Sequence, residues 1–232
     1  IEVTGEGYNY AGDFYLNKNK YNLKNIFRLI QTAVLCNNAQ FNKERKFGDP
    51  TEIALLVLAK KAKVNFNFNR LKEIPFSSEK KYMGTVNLIN NKRTLFLKGA
   101  SEVILTKCNR ILIGNKIYRL NNKKRKEIFD INENFAGQAL RVLGFCYKPF
   151  GKKENLSNEK NCIFTGLVGM IDPPRKDVKT SLELCKNAGI RVIMITGDHK
   201  LTAQAIARQI GLNDRTITGE DLEKLSGCFL PV

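Results

Sequence analysis

A change of hydrophobic period between residues 152 and 161 restricts the fold more than any other feature of the chain. Upstream of it, short β-type runs at 70–76, 83–89, 94–97, 111–113, 116–118 and 141–147 are bounded by turn-forming residues. Such runs pair as antiparallel strands. Downstream, an apolar run at 164–171, an amphipathic stretch at 176–187, a β-branched run at 191–195 and a second amphipathic stretch at 201–210 follow one another. Strand, helix, strand, helix implies parallel pairing through right-handed crossovers. Two unlike domains are therefore expected, a mainly antiparallel α+β unit over 1–160 and a partial doubly wound α/β unit over 161–232. Two strands cannot build a parallel sheet covered on both faces, so the second unit is expected to be completed by other parts of a larger parent chain.

Helices punctuate the first region. Leu23, Ile26, Phe27, Ile30, Ala33 and Val34 recur at three- and four-residue steps, which predicts an amphipathic helix within 22–39. A second helix starts at Gly48-Asp49-Pro50-Thr51-Glu52 and runs to about residue 63. Asp49 suits the cap, Pro50 a position whose N–H has no partner, and Glu52 can reach back to the cap's own N–H. Asn90-Asn91 and Gly114-Asn115 suit tight hairpin turns. Shorter helices are expected over 101–108 and 122–136, and residues 152–161 read as a polar surface connector.

Composition excludes several classes. Hydrophobic residues make up 43% and charged residues 26%, too apolar for disorder. The longest apolar stretches, 53–59 and the glycine-interrupted 163–171, fall short of the ~20 residues that cross a bilayer. The chain opens at Ile1 without Met and without a signal-peptide pattern, so an excised piece of a larger protein is expected. Cysteines at 36, 108, 146, 162, 185 and 228 show no C-x-x-C spacing, and His199 is the only histidine. A zinc site is not expected, and free buried thiols in a reducing, cytosol-facing setting are. A net charge of +17 suits nucleic acid, an anionic membrane surface or a phosphate-rich ligand, and charge alone does not choose among them.

Several segments can carry chemistry. The run 192–195 ends in Thr196-Gly197-Asp198-His199 before a helix, where a hydroxyl and helical N–H groups can receive phosphate oxygens. Asp172-Pro173-Pro174-Arg175 leaves the preceding apolar run through two φ-restricted residues. In the first region, Phe76 can stack on a purine or belong to the core. Lys98 precedes Gly99, and reads either as a phosphate or base contact or as a solubilising edge charge. Glu52 can accept from an adenine amino group or serve only the helix cap. Lys81 and Arg141 are individually undistinguished.

In order, these segments resemble the P-type cation-transporting ATPases, closest to the calcium-pump and related monovalent-cation branches. Gly48-Asp49-Pro50-Thr51-Glu52 is similar to the family's G-[DE]-x-T-E, Phe76 to Lys81 to its F-x-S-x-x-K region, and Lys98-Gly99-Ala100-Ser101-Glu102 to its K-G-A-x-E, with Ser101 where Pro is frequent. Ala139-Leu140-Arg141-Val142-Leu143, Asp172-Pro173-Pro174-Arg175 and Met194-Ile195-Thr196-Gly197-Asp198 resemble its A-x-R-x-L, D-P-P-R and M-x-T-G-D. The resemblance implies an α+β nucleotide-binding domain followed by part of a haloacid-dehalogenase-like (Rossmannoid) phosphorylation domain. It implies ATP and Mg²⁺ as cofactors and ATP-driven cation transport, with calcium as the expected ion, through a phosphoaspartate.

By the same resemblance, Glu52, Phe76, Lys81, Lys98 and Gly99 hold adenine and Arg141 approaches the phosphates, while Asp172, Arg175, Thr196, Gly197 and Asp198 surround the γ-phosphate. The family's D-K-T-G-T and G-D-G-x-N-D strings do not occur in these residues, so the chain by itself is expected to bind ATP without hydrolysing it. Expected partners are the remaining phosphorylation, actuator and transmembrane domains of a pump, of which this is a cytosolic part. Exposed edges of the partial sheet would favour self-association. A nucleic-acid-binding module is an alternative on charge, disfavoured because aromatics do not interleave with the basic residues. A soluble haloacid-dehalogenase-like phosphatase is another, disfavoured because no D-x-D-x-[TV] string lies near the amino end.

Overall fold

The computed structural model describes residues 1–5, 7–41, 46–138, 140–151, 159–171, 177–197, 200–212 and 216–224. The chain divides into two compact units, Ile1–Asn132 with Val142–Met170, and Glu133–Arg141 with Ile171–Val232.

The first unit opens with a small antiparallel sheet of β1 (Glu2–Val3), β2 (Phe14–Leu16) and β3 (Asn19–Lys20). A 3-10 turn at Leu23–Ile26 leads into α1 (Phe27–Leu35), so the expected single helix is a short one with a tighter entry. The two-stranded pair β4 (Gln40–Phe41) and β5 (Lys46–Phe47) precedes α2 (Pro50–Lys61), which starts as expected with Asp49 as cap and Pro50 in the first turn. Next come β6 (Asn69–Ile74), β7 (Tyr82–Ile89), β8 (Lys92–Gly99), α3 (Ser101–Lys107), β9 (Cys108–Ile113), β10 (Lys116–Arg119), α4 (Asn122–Gly137), β11 (Arg141–Pro149) and β12 (Cys162–Met170). Asn90 and Asn91 turn the β7–β8 hairpin with φ of 46° and 61°, the left-handed values a tight primed turn demands.

Strands β6 to β12 form one seven-stranded sheet in the order β10-β9-β12-β11-β8-β7-β6. The pairs β6/β7, β7/β8, β8/β11 and β9/β10 are antiparallel, and β12 runs parallel to β9. Because side chains alternate between faces, Leu95 and Leu97 join Ile104, Leu105 and Ile128 of α3 and α4 in one core layer. Phe96 joins Leu35 and Cys36 on the opposite face, and Phe145 joins Ala33 of α1 and Leu55 of α2. The sheet is thus covered on both faces.

Strand β12 corrects the expected organisation. It was expected to open the second domain after residue 160, yet it lies in the first unit's sheet with Cys162, Ile163 and Phe164 buried. An apolar run fits any sheet covered on both faces, and its period does not say which domain supplies the neighbours. The second unit contains α5 (Val178–Asn187), α6 (Lys200–Ile210) and α7 (Gly219–Lys224), and no strand among its described residues apart from Arg141 of β11. The strand expected at 191–195 does not form, and Ile193 and Ile195 are 72% and 93% exposed. A strand needs a hydrogen-bonded neighbour, and among the described residues this run has none. The parallel Rossmannoid sheet expected there is therefore absent from the described residues.

Cys36, Cys108, Cys146 and Cys162 are buried free thiols, and Cys185 is a half-buried one. Cys228 lies outside the described residues. No helix among the described residues is long and apolar enough to cross a membrane.

Candidate functional site

The site grows from the carboxyl end of β8. Strand β8 reaches Gly99, beyond the expected end at residue 97, so Lys98 is a strand residue in phase with Phe96 and faces the α1–α2 side. Its ammonium donates to Glu52 Oε1 at 2.7 Å, with the two side chains only 6% and 14% exposed. This overturns the reading of Lys98 as an edge-strand charge, because β8 lies between β7 and β11.

Glu52 occupies the first turn of α2, where Asp49 Oδ1 accepts from the Thr51 N–H at 2.8 Å. Both Glu52 oxygens have partners outside that helix: Oε1 meets Lys98, and Oε2 accepts from the Asn38 N–H at 3.1 Å. A carboxylate that only closed a capping box would not be turned this way. Burying such a pair costs desolvation, and the mutual attraction roughly repays it, so the pair contributes little net stability while either charge alone would be costly.

The adjoining turn reaches the same end of the sheet. Ile74 pairs with Gly84 and Tyr82 with Gly99, so the 75–81 connection and the end of β8 are neighbours. That connection carries Phe76, whose side chain is 62% exposed and is not a core residue. Its last residue, Lys81, has φ 56°, uncommon for a side chain of this length. Lys81 N donates to Ser77 O at 2.8 Å, and Lys81 O accepts from Ala100 N at 2.9 Å. A Cβ on Gly99 would stand 2.3 Å from Lys81 O, so Gly99 is required for the close approach of this connection. The group that approaches Gly99 is Lys81-Tyr82. Ser101, buried at the start of α3, donates its hydroxyl to Asn132 Oδ1 of α4 at 2.8 Å, which anchors the segment that a proline would stiffen.

Behind this end lies a polar group that sequence reasoning did not single out. The Tyr82 hydroxyl donates to Glu159 Oε2, Lys107 Nζ pairs with the same oxygen at 2.8 Å, and that ammonium stands 3.9 Å from the centre of the Tyr82 ring. Burial and then Glu159 hold the Tyr82 hydroxyl above its ordinary pKa. For Lys107, burial acts downward, but hydrogen bonds to Glu159 and Tyr82 outweigh it and the pKa is raised. The Asn38 contact to Glu52 was also missed. An Asn pair just past an apolar helical stripe was the available signal, since such residues often end helices.

The remaining candidates lie in the second unit or outside the described residues. Arg141 opens β11, is exposed, and belongs to the second unit. Thr196 and Gly197, also in the second unit, are exposed in an irregular segment. Asp172, Arg175 and Asp198 lie outside the described residues. Among the described residues, no group of three His, Cys, Asp or Glu is arranged to hold a metal ion.

The family described as P-type ATPase, cytoplasmic domain N, matches residues 25–177, which contain the whole β6–β12 sheet, α1, α2 and the Glu52–Lys98 pair. The chain belongs to the P-type ATPases. It is similar to calcium-transporting ATPase 1 of Lactococcus lactis, 40% identical over 212 residues that cover 85% of this chain and 24% of that protein. A calcium-transporting ATPase of Listeria monocytogenes is 41% identical over 210 residues, again covering 85% and 24%. The sodium/potassium-transporting ATPase subunit alpha-4 of Homo sapiens is 34% identical over 224 residues, covering 84% and 22%. The chain thus spans about a quarter of the length of the curated relatives it matches. Within this P-type ATPase chain, the family match ends beyond β12 and not at residue 160, in agreement with the sheet.

Proposed function

We propose that this chain is the ATP-binding part of a calcium-transporting P-type ATPase, a cytosolic portion of an integral membrane pump that works through a phosphoaspartate. The observation that carries the reading is the buried Lys98–Glu52 pair at the sheet end where an exposed Phe76 ring is presented. An exposed aromatic ring offers a face for a purine, and such stacking contributes ~1 to 3 kcal/mol per base in sites of this kind. The Glu52 carboxylate would accept from an exocyclic amino group, and the Lys98 ammonium would lie against an electron-rich ring edge or an oxygen. Lys81 and Gly99 belong to the same base site on this reading, and the family resemblance alone assigns Arg141 to the phosphates.

Residues 171–232 are read as a segment of the haloacid-dehalogenase-like phosphorylation domain, in which Asp172, Arg175, Thr196, Gly197 and Asp198 serve the γ-phosphate. Mg²⁺ would neutralise charge on the transferring phosphoryl group, with most of its ligands supplied from outside these residues. The remaining phosphorylation, actuator and transmembrane domains of a pump are the partners this reading requires. These 232 residues alone bind ATP without turning it over.

Calorimetric titration of the chain with ATP tests the reading. Binding in the micromolar to millimolar range is expected, because an open-sided pocket recovers few contacts after the ~4 kcal/mol or more lost on association. Phe76→Ala weakens it by ~1 to 3 kcal/mol. Heats indistinguishable from dilution at millimolar ATP would end the proposal.

A further inference from the structure

A second set of contacts, on the far side of Glu52 from Lys98, bears on how that carboxylate is aimed. Glu52 Oε2 takes its hydrogen bond from Asn38 N, in the irregular stretch that follows α1. Thr85 Oγ1 donates to Leu35 O at 2.8 Å from the sheet, and the Arg70 side chain reaches further along the stretch. Arg70 Nη2 donates to Leu35 O at 3.3 Å and to Asn37 O, and Nη1 donates to Asn38 Oδ1 and to Glu73 Oε2, the latter at 3.2 Å. Asn38 Nδ2 in turn donates to Glu73 Oε1 at 2.7 Å, and Asn37 Nδ2 to Glu52 O at 2.9 Å. The guanidinium therefore caps the carbonyl end of α1, where a cation is favoured, and ties residues 35–38 to β6.

A local irregularity makes this grip available. Arg70 and Glu73 are three apart in a strand, and residues at odd spacing normally point to opposite faces. The β6–β7 register slips between Arg70 and Lys72, leaving Leu71 as an extra residue, so both side chains reach the same loop. Bulges re-aim side chains in this way.

We propose that Arg70 is a positioning residue for base selection: by fixing the Asn38 N–H it fixes the direction of the Glu52 carboxylate, which then favours a 6-amino purine over a 6-oxo purine. The proposal rests on the nucleotide reading above. A fixed carboxylate meets the amino group of adenine, but faces the carbonyl of hypoxanthine. A carboxylate free to swing by one ring position can instead accept from the N1–H of the 6-oxo base, and discrimination is lost. A site built around a hydrogen bond rejects the analogue that lacks it far better than shape alone does.

The test has two arms on the full chain, with wild type, Arg70→Ala and Arg70→Lys. Arg70→Lys keeps the charge and the aliphatic stem and removes the fork, so it remains informative if Arg70→Ala unfolds. In the ligand-free arm, amide hydrogen exchange at Asn38 should accelerate at least about tenfold in Arg70→Lys, with amides inside α2 unchanged. In the second arm, wild type should bind ATP at least about tenfold more tightly than inosine triphosphate, and the ratio should fall below about threefold in the variants. Unchanged exchange at Asn38, or an unchanged ratio in a folded variant, overturns the proposal. Wild type binding neither nucleotide overturns the nucleotide reading itself and base selection with it, a result distinct from an unchanged ratio.

Discussion

The two compact units answer the same question, how an apolar run is kept from water, in opposite ways. In the first, every strand of the seven-stranded sheet has a hydrogen-bonded neighbour, and side chains such as Phe96, Phe145 and Leu55 are fully buried. In the second, the β-branched run at 191–195 has no strand neighbour among the described residues, and Ile195 is 93% exposed. The helices of the second unit form nonetheless, since their hydrogen bonds are internal to each segment. A helix can be specified locally, whereas a strand exists only in company.

The widest separation between the units should appear in large-to-small substitutions. Phe96→Ala should cost about 3–5 kcal/mol in a denaturant titration, and Ile195→Ala within about 0.5 kcal/mol. Equal costs would break the contrast, because they would require Ile195 to be buried.

Charge burial sharpens it. Lys98→Met leaves Glu52 buried without its cation and should cost about 3–5 kcal/mol, whereas Lys98→Met with Glu52→Leu should recover most of that loss. A double variant as unstable as the single one would show that the pair is not the interaction at stake.

Alkaline pH should produce the smallest effect, and among the described residues it falls on groups of the first unit. Burial raises the Cys36 thiol to about 11 from 9.0, so on unfolding it releases its proton first. The stability this thiol contributes is intact below about pH 9 and is lost as pH rises toward about 11. Tyr82 and Lys107, both raised, act in the same direction. Cys36→Ala should therefore flatten, without abolishing, the fall in stability across that window. In the second unit the exposed Asp221 is held below its ordinary pKa, chiefly by the Thr218 hydroxyl. Its contribution is present at neutral pH and fades only in acid, so the alkaline window should leave it untouched.

Much of this arrangement was legible because it is local. Asp49-Pro50 marks the start of α2, Asn90-Asn91 the β7–β8 hairpin and Gly114-Asn115 the β9–β10 hairpin, each through the backbone preferences of a few adjacent residues. The side chains at 52, 76 and 98 were legible as candidates by type and motif order, but whether Glu52 served only its cap, and whether Lys98 was an edge charge, was open. That choice depends on two elements 46 positions apart in sequence. Arg70 escaped notice because its reach to Asn37 and Asn38 depends on a register slip that no residue pattern announces.

Sequence alone determined the helix starts, the tight turns and the alternating strands of the first unit, since each follows from the chemistry of neighbouring residues. Tertiary structure alone decided that β12 closes the first sheet, that 191–195 stays without a strand neighbour among the described residues, and that Lys98, Glu52 and Asn38 meet. Those outcomes turn on which distant backbone offers a free edge and which buried charge finds its opposite, and neither is a property of any short stretch of chain.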